Sequence, residues 1–148
     1  MTIEPELDPS RVEVGTFYPH PREVVWQALT DPTLVERWLM ASTGFEGARV
    51  GTHFLLSVPS SPPSEIACEV LEVTPGVAMT WSWVDMRAPQ PARWIVTWTV
   101  QPQGRGTRLL LTHSGFDIDN KREKMARNAL ERGWKVCLSK LSEVLDRL

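Results

Sequence analysis

Residues 92–113 read ARWIVTWTVQPQGRGTRLLLTH and are the most informative part of the chain for its architecture. Two segments rich in β-branched, aromatic and aliphatic residues flank a short connection with two glycines, a pattern typical of a β-hairpin. We therefore predict strands at Ala92–Val100 and Thr107–His113, joined by a hairpin connection at Gln101–Gly106. Parallel strands need a long crossover, so a connection this short predicts an antiparallel pair.

Alternation along these strands separates a buried face from an exposed one, because successive side chains of a strand point to opposite faces. Thr97 and Thr99 suit the solvent face of their strand. The segment Val77–Val84 alternates in the same way and is predicted to be the preceding strand. The site residues that we expect on the inward face of the three strands are Trp81, Trp83, Trp94, Trp98, Leu109, Leu111 and His113.

Upstream of this meander the sequence predicts three further strands and two short helices. Pro21 is expected to open the first helix, where its missing N–H is tolerated. Asp31 is the expected N-cap of the second helix, with Pro32 at its first position. The further strands are predicted at Arg11–Tyr18, His53–Val58 and Glu65–Val73.

The C-terminal residues, from about 117 to 148, are predicted to form one long helix because apolar residues recur at spacings of three and four. Asp117 or Asp119 is its expected N-cap. Gly133 interrupts it at a cost of about 1 kcal/mol relative to alanine, which predicts a close backbone approach to the sheet or a local bend. The tryptophans expected to anchor helix packing are Trp26, Trp38 and Trp134.

This order of elements defines an α+β domain of the helix-grip type. A curved antiparallel sheet wraps around a long C-terminal helix, and two short helices follow the first strand. The length of 148 residues suits one domain. We predict a flexible tail at residues 1–10 and a single domain at residues 11–148.

Composition and motifs exclude several classes of function. The net charge is -2 and no basic run occurs, which argues against nucleic acid and anionic membrane as partners. No signal peptide or membrane-spanning stretch is present in the sequence, so a cytoplasmic protein is expected. Cys68 and Cys137 lie far apart and are expected to be buried thiols. The three histidines are not spaced as metal ligands, and no cofactor motif is found, so neither a metal nor a cofactor is expected.

Several short motifs, taken in order, resemble the activator of heat-shock protein 90 ATPase homologue family of the START-like, Bet v 1-like superfamily (SRPBCC). They run from the first helix to the last: Pro21-x-Glu23-x-Val25-Trp26, Ala28-Leu29-Thr30-Asp31-Pro32, Trp38, Thr80-Trp81, Gly106-Thr107, Thr112-His113-Ser114-Gly115-Phe116 and Gly133-Trp134 followed by Leu138 and Leu141. The resemblance implies a cavity between the sheet and the long helix. The cochaperone that names the family carries an additional N-terminal domain, and only a tail precedes residue 11 here, so a chaperone partner is not expected.

The inward tryptophans predict either a solid core or an aromatic-lined pocket, since wide rings opposite small helix residues suit both. We expect a pocket that binds a small apolar or aromatic ligand without catalysis. The helix residues expected to line it are Ala126, Ala129 and Gly133. The sequence is also compatible with a weak homodimer.

Two alternative functions depend on other features. His113 is the inward titratable residue near the long helix, and as an acid or base it would support a polyketide cyclase-like or hydrolase-like enzyme. Our main interpretation is structural: one ring N–H of His113 donates to a backbone carbonyl and fixes the turn at Ser114-Gly115-Phe116. We therefore name no catalytic residue. The second alternative is a chaperone-associated protein that uses its outer surface.

Overall fold

The structure is a computed structural model that describes residues 9–148 of the chain, and the first eight residues of the expected tail lie outside this range. The strands are β1 (Arg11–Tyr18), β2 (Ser42–Thr43), β3 (His53–Val58), β4 (Ser64–Thr74), β5 (Ala78–Asp85), β6 (Arg93–Gln103) and β7 (Gly106–Ser114). The helices are α1 (Arg22–Thr30), α2 (Pro32–Trp38) and α3 (Lys121–Asp146). This is the α+β helix-grip architecture that the sequence predicts.

All seven strands form one antiparallel sheet in the order β1-β7-β6-β5-β4-β3-β2. The first strand therefore pairs with the last, and the rest of the sheet is a meander. Inward residues alternate with outward ones as predicted: Trp94 and Trp98 of β6 are buried, and so is His113 of β7. Thr97 and Thr99 on the opposite face are only partly buried.

Helix α3 contacts β1, α1 and α2. The phenol of Tyr18, at the end of β1, donates a hydrogen bond of 2.8 Å to the carbonyl oxygen of Leu138. Burial raises the pKa of Tyr18, so its O–H keeps its proton and remains a donor. All of the fully enclosed residues of α3 lie in its C-terminal half, namely Trp134, Leu138, Leu141, Val144 and Leu145.

The start of α3 differs from the expectation. Asn120, rather than Asp117 or Asp119, is the N-cap, and its side chain accepts from the backbone N–H groups of Arg122 and Glu123. Asp117 instead accepts from the backbone N–H of Asp119. Asp and Asn are equally good caps, so the sequence could not choose between neighbouring positions.

Pro21 is likewise the N-cap of α1 and not its first helical residue, whereas the predicted Asp31 cap and Pro32 first position are confirmed. The short strand β2 was not predicted, because two residues carry no detectable alternation. Trp26 is only half-buried, so it is a weaker packing anchor than expected, while Trp38 and Trp134 are buried.

The close backbone approach to the sheet that was one expectation for Gly133 is absent. A Cβ built at this position would meet nothing within 4 Å, so no backbone approach to the sheet requires a glycine here. Gly106 is the opposite case: a Cβ there would come within 2.5 Å of the ring of Phe17. The first glycine therefore borders open space, and the second is needed for strand packing.

Candidate functional site

An apolar groove of about 160 Å³ opens between the middle of α3 and the part of the sheet formed by β3, β4 and β5. The end of α2 and strands β3, β4 and β5 form one wall, and α3 forms the other. We call it the α3 groove, and its lining is Leu39, Met40, Val58, Ile66, Trp83, Arg87, Leu130, Gly133, Trp134 and Cys137. Arg87 is the one charged residue among these, so the groove suits an apolar ligand.

Two of the predicted lining residues border this groove, Trp83 and Gly133. Two others, Trp94 and Ala126, border a separate and more polar pocket of about 370 Å³ at the start of α3. Ala129 was expected to face the sheet, but it is exposed. The remaining predicted residues are packed in the core: Trp81, Trp98, Leu109, Leu111 and His113.

Sequence reasoning missed most of the groove wall. The periodic pattern of the second helix placed Leu39 on a buried face but did not indicate a groove, and Met40 lies beyond that pattern. Cys137 was interpreted only as a buried thiol. Its position, four residues after Gly133 on α3, was the signal that would have placed it on the same wall, because residues four apart share a helix face.

Below the groove the tryptophans form a continuous layer of aromatic rings. Trp98 lies at its centre, with ring centroids 5.7 Å from Trp81, 5.3 Å from Trp134 and 5.5 Å from Trp38. The Trp98 and Trp134 rings are nearly perpendicular, at 89°. Edge-to-face pairs of this kind are favoured by the ring quadrupole. The centre of the space between sheet and helix is therefore filled by side chains.

Trp83 connects this layer to the groove. Its ring centroid lies 5.3 Å from that of Trp134 and 5.2 Å from that of His113. Trp83 is only 2% exposed although it lines the groove. It therefore forms the floor of the groove.

The protonation of His113 is fixed by its neighbour. The indole N–H of Trp134 donates to Nδ1 of His113 at 3.0 Å, and an indole N–H can only donate. Nδ1 must therefore be unprotonated, so a neutral His113 carries its proton on Nε2. Burial lowers the pKa of His113 to about 3, which keeps the ring neutral.

This geometry revises both interpretations of His113. The expected backbone carbonyl partner is wrong, since the partner is the side chain of Trp134. A general base needs a free nitrogen lone pair and a pKa near the working pH. His113 has one lone pair, which is occupied, and its pKa is far below neutrality. His113 is thus placed as a structural residue that joins β7 to α3.

The layer also contains buried donors without acceptors. Trp38 donates to the carbonyl oxygen of Ala28 at 2.9 Å, and Trp94 donates to Glu123 at 3.0 Å. Within the described residues, four buried nitrogens have no hydrogen-bond partner: Nε1 of Trp81, Trp83 and Trp98 and Nε2 of His113. An unsatisfied buried polar group costs about 1–3 kcal/mol.

The charge at the rim of the groove is balanced locally. Arg87 forms a forked ion pair with Asp85, in which Nη2 lies 2.6 Å from Oδ2 and Nε lies 3.0 Å from Oδ1. Burial by itself would raise the pKa of Asp85, but the hydrogen bonds and charge of Arg87 outweigh it and lower that pKa. The pair is therefore ionised and presents no net charge to a ligand.

The thiol in the groove is not an activated nucleophile. Burial raises the pKa of Cys137, against a smaller opposing effect of the charge on Lys140. A thiol nucleophile must be deprotonated, so Cys137 acts as a small apolar wall residue. Among residues 9–148, no three His, Cys, Asp or Glu side chains come close enough together to hold a metal ion. No helix in this part of the chain is long and apolar enough to cross a membrane.

Solved structures share this fold. The protein MLL2253 from Mesorhizobium loti is 35% identical, and the match covers 93% of this chain and 97% of that chain with a TM-score of 0.82. The protein CV1439 from Chromobacterium violaceum is 23% identical, with coverages of 93% and 98% and a TM-score of 0.76.

DynU16, described as a protein in the dynemicin biosynthetic locus, is 22% identical, with coverages of 93% and 47% and a TM-score of 0.77. No curated protein matches this sequence. The family model for Activator of Hsp90 ATPase homolog 1-like protein matches residues 19–146, and the chain belongs to that family.

Proposed function

We propose that this protein binds a small apolar or aromatic ligand in the α3 groove without transforming it. The groove is small and almost wholly apolar, its floor is the ring of Trp83, and its rim charge is neutralised. Pockets of this composition bind ligands mainly by removing apolar surface from water. His113, the residue that would favour an enzyme, has no free lone pair.

The observation that carries the proposal is Gly133. A glycine in a helix interior costs about 1 kcal/mol relative to alanine, and nothing in the protein occupies the space where its side chain would be. Gly133 is exposed and lies at the border of the α3 groove. A destabilising residue that leaves room beside an apolar groove is explained if a ligand uses that room.

The test is a titration with an environment-sensitive apolar dye, read by dye emission and by quenching of tryptophan emission. Trp83 and Trp134 line the groove, so a dye bound there should quench the protein. Gly133→Leu adds a large side chain at the border of the groove and should weaken binding by about tenfold or more, because roughly 1.4 kcal/mol of lost contact gives a factor of ten.

Ala129→Leu is the matched control, since Ala129 lies on the same helix, is exposed and borders neither this groove nor the pocket at the start of α3. Its dye affinity should stay within about twofold of the unaltered protein. Equal affinities for both variants and the unaltered protein would show that the dye binds elsewhere. Absence of any binding by the unaltered protein would remove the proposed function.

A further inference from the structure

The aromatic layer has an excess of hydrogen-bond donors. Its ring nitrogens include one acceptor, Nδ1 of His113, and the indole of Trp134 already occupies it. The four nitrogens that remain without a partner in the described chain are all donors, because Nε2 of His113 carries the ring proton. Donors cannot satisfy one another, so no rearrangement of these rings among themselves removes the excess.

One of these buried donors belongs to a ring that borders the α3 groove. Trp83 lines the α3 groove, whereas Trp81, Trp98 and His113 do not. Trp83 is only 2% exposed and its Nε1 is buried, so a ligand in the groove reaches this nitrogen only by displacing a wall side chain. Met40 belongs to that wall and is half-buried, and an unbranched methionine adapts readily to a new neighbour.

We propose that the indole N–H of Trp83 is a specificity-determining donor for the ligand, which is an apolar ring compound with a neutral acceptor oxygen such as a ketone. The inference rests on the proposed function and specifies its ligand class. A carbonyl oxygen accepts without donating, which complements an excess of donors.

A neutral acceptor is favoured over a carboxylate for an electrostatic reason. Arg87 is the cationic residue of the groove, and Asp85 already pairs with its Nε and Nη2. A carboxylate that entered an apolar groove would lose its hydration without a free cation to replace it. A ketone has a much smaller desolvation cost and still accepts from Trp83.

The experiment compares two compounds of nearly equal shape, the hydrocarbon indane and its ketone indanone, with the unaltered protein. Affinities are measured by tryptophan quenching, and the indole N–H resonances are followed in an assigned nitrogen–proton correlation spectrum. Indanone should bind about five- to tenfold more tightly than indane, as one added hydrogen bond predicts. The Trp83 resonance should move downfield with indanone only, while those of Trp81 and Trp98 change little.

Trp83→Phe keeps an aromatic floor and removes the N–H. The smaller ring weakens both compounds, so the readout is the ratio of their affinities, which should fall to about one because they then differ by no hydrogen bond to residue 83. If this variant does not fold, the spectrum of the unaltered protein decides alone.

Equal affinities of the two compounds, with no selective shift at Trp83, would overturn this inference and leave the binding function intact. The inference is also wrong if the Trp83 resonance is already shifted upfield without ligand and does not respond, because its N–H then rests on a neighbouring ring face. If neither compound binds, both proposals are wrong.

Discussion

The two halves of helix α3 have opposite relations to the rest of the protein. The C-terminal half, from Trp134 to Asp146, contributes every fully enclosed residue of the helix. The N-terminal half, from Lys121 to Gly133, contributes none, although Leu130 and Gly133 border the groove and Ala126 borders the pocket at its start. One continuous helix is therefore buried in the core at one end and borders the two pockets at the other.

The difference indicates where this fold can vary without unfolding. Burial of large apolar side chains supplies most of the stability of a domain, so the C-terminal half is constrained by packing. The N-terminal half is held by its cap and by hydrogen bonds such as the one from Trp94 to Glu123. Substitutions in the first region should change the free energy of unfolding, and substitutions in the second should change ligand binding.

The largest expected contrast is between two leucines of the same helix. Leu141 is fully buried in the C-terminal half, so Leu141→Ala should lower the free energy of unfolding by about 3–5 kcal/mol. Leu130 is half-buried in the groove wall, so Leu130→Ala should cost only about 1–2 kcal/mol. Urea unfolding of both variants measures the difference. Similar costs would mean that the two halves contribute equally to packing.

The contact of His113 with Trp134, the first residue of the C-terminal half of α3, should make stability depend on pH. His113, bonded to Trp134, has its pKa lowered by burial to about 3, whereas a histidine in an unfolded chain has a pKa of about 6.5. Below pH 6.5 the unfolded chain therefore takes up a proton that the folded protein refuses. The stability contributed by neutral His113 is complete above about pH 6.5 and is lost as the pH falls toward 3.

Between pH 7 and pH 5 this loss should amount to about 2 kcal/mol, measured by urea unfolding at each pH. His113→Asn should remove this part of the pH dependence and lower stability by about 1–3 kcal/mol at neutral pH, because a buried partner is left with poorer hydrogen bonding. The control is His53→Asn, since the side chain of His53 is 77% exposed. A pH profile that is the same for His113→Asn as for the unaltered protein would contradict the neutral, buried state.

Strand positions and faces were predictable because alternation is a local signal. The alternation within residues 94 to 113 predicts which side chains point inward and which point outward, and the burial of these side chains agrees with it. The partner of His113 was not predictable, since Trp134 lies 21 residues further along the chain and only the packed fold brings the two rings together. The same holds for the hydrogen bond from Trp94 to Glu123, which links β6 to the first turn of α3.

Whether the inward tryptophans form a core or a pocket depends on the distance between helix and sheet, which no sequence pattern encodes. Trp81 and Trp98 proved to be enclosed, and Trp83 alone of these three reaches the groove. Ala129 shows the limit of the helical pattern, because a small apolar residue is compatible with either an inward or an exposed position. Gly133 was recognisable as unusual, but the space beside it appears only in three dimensions.

Substitution of the N-cap of α3, at the start of its N-terminal half, should have a smaller effect on stability. The side chain of Asn120 accepts from two backbone N–H groups at 2.9 and 3.3 Å, so Asn120→Ala should cost about 1 kcal/mol in the free energy of unfolding. Asp119→Ala is the control and should cost no more than about 0.5 kcal/mol, mostly through its charge near the helix N-terminus. An Asp119 variant less stable than the Asn120 variant would move the cap back to the position expected from sequence.

The smallest expected change in stability has the opposite sign. It distinguishes a residue that affects ligand binding from residues that stabilise the fold. Gly133 has ordinary helical surroundings, and a methyl group there would meet nothing within 4 Å. Gly133→Ala should therefore raise the free energy of unfolding by about 0.5–1 kcal/mol, because alanine is the better helix former. Gly133 also borders the groove, so the added methyl group should lower the affinity for an apolar dye modestly even as the protein becomes more stable. Thermal unfolding and dye titration on the same sample test both parts.

A variant that gains stability and keeps full affinity would show that the ligand does not use the space beside Gly133. A variant that loses stability would show that the helix backbone itself requires the glycine, and the open space beside it would then have no bearing on ligand binding.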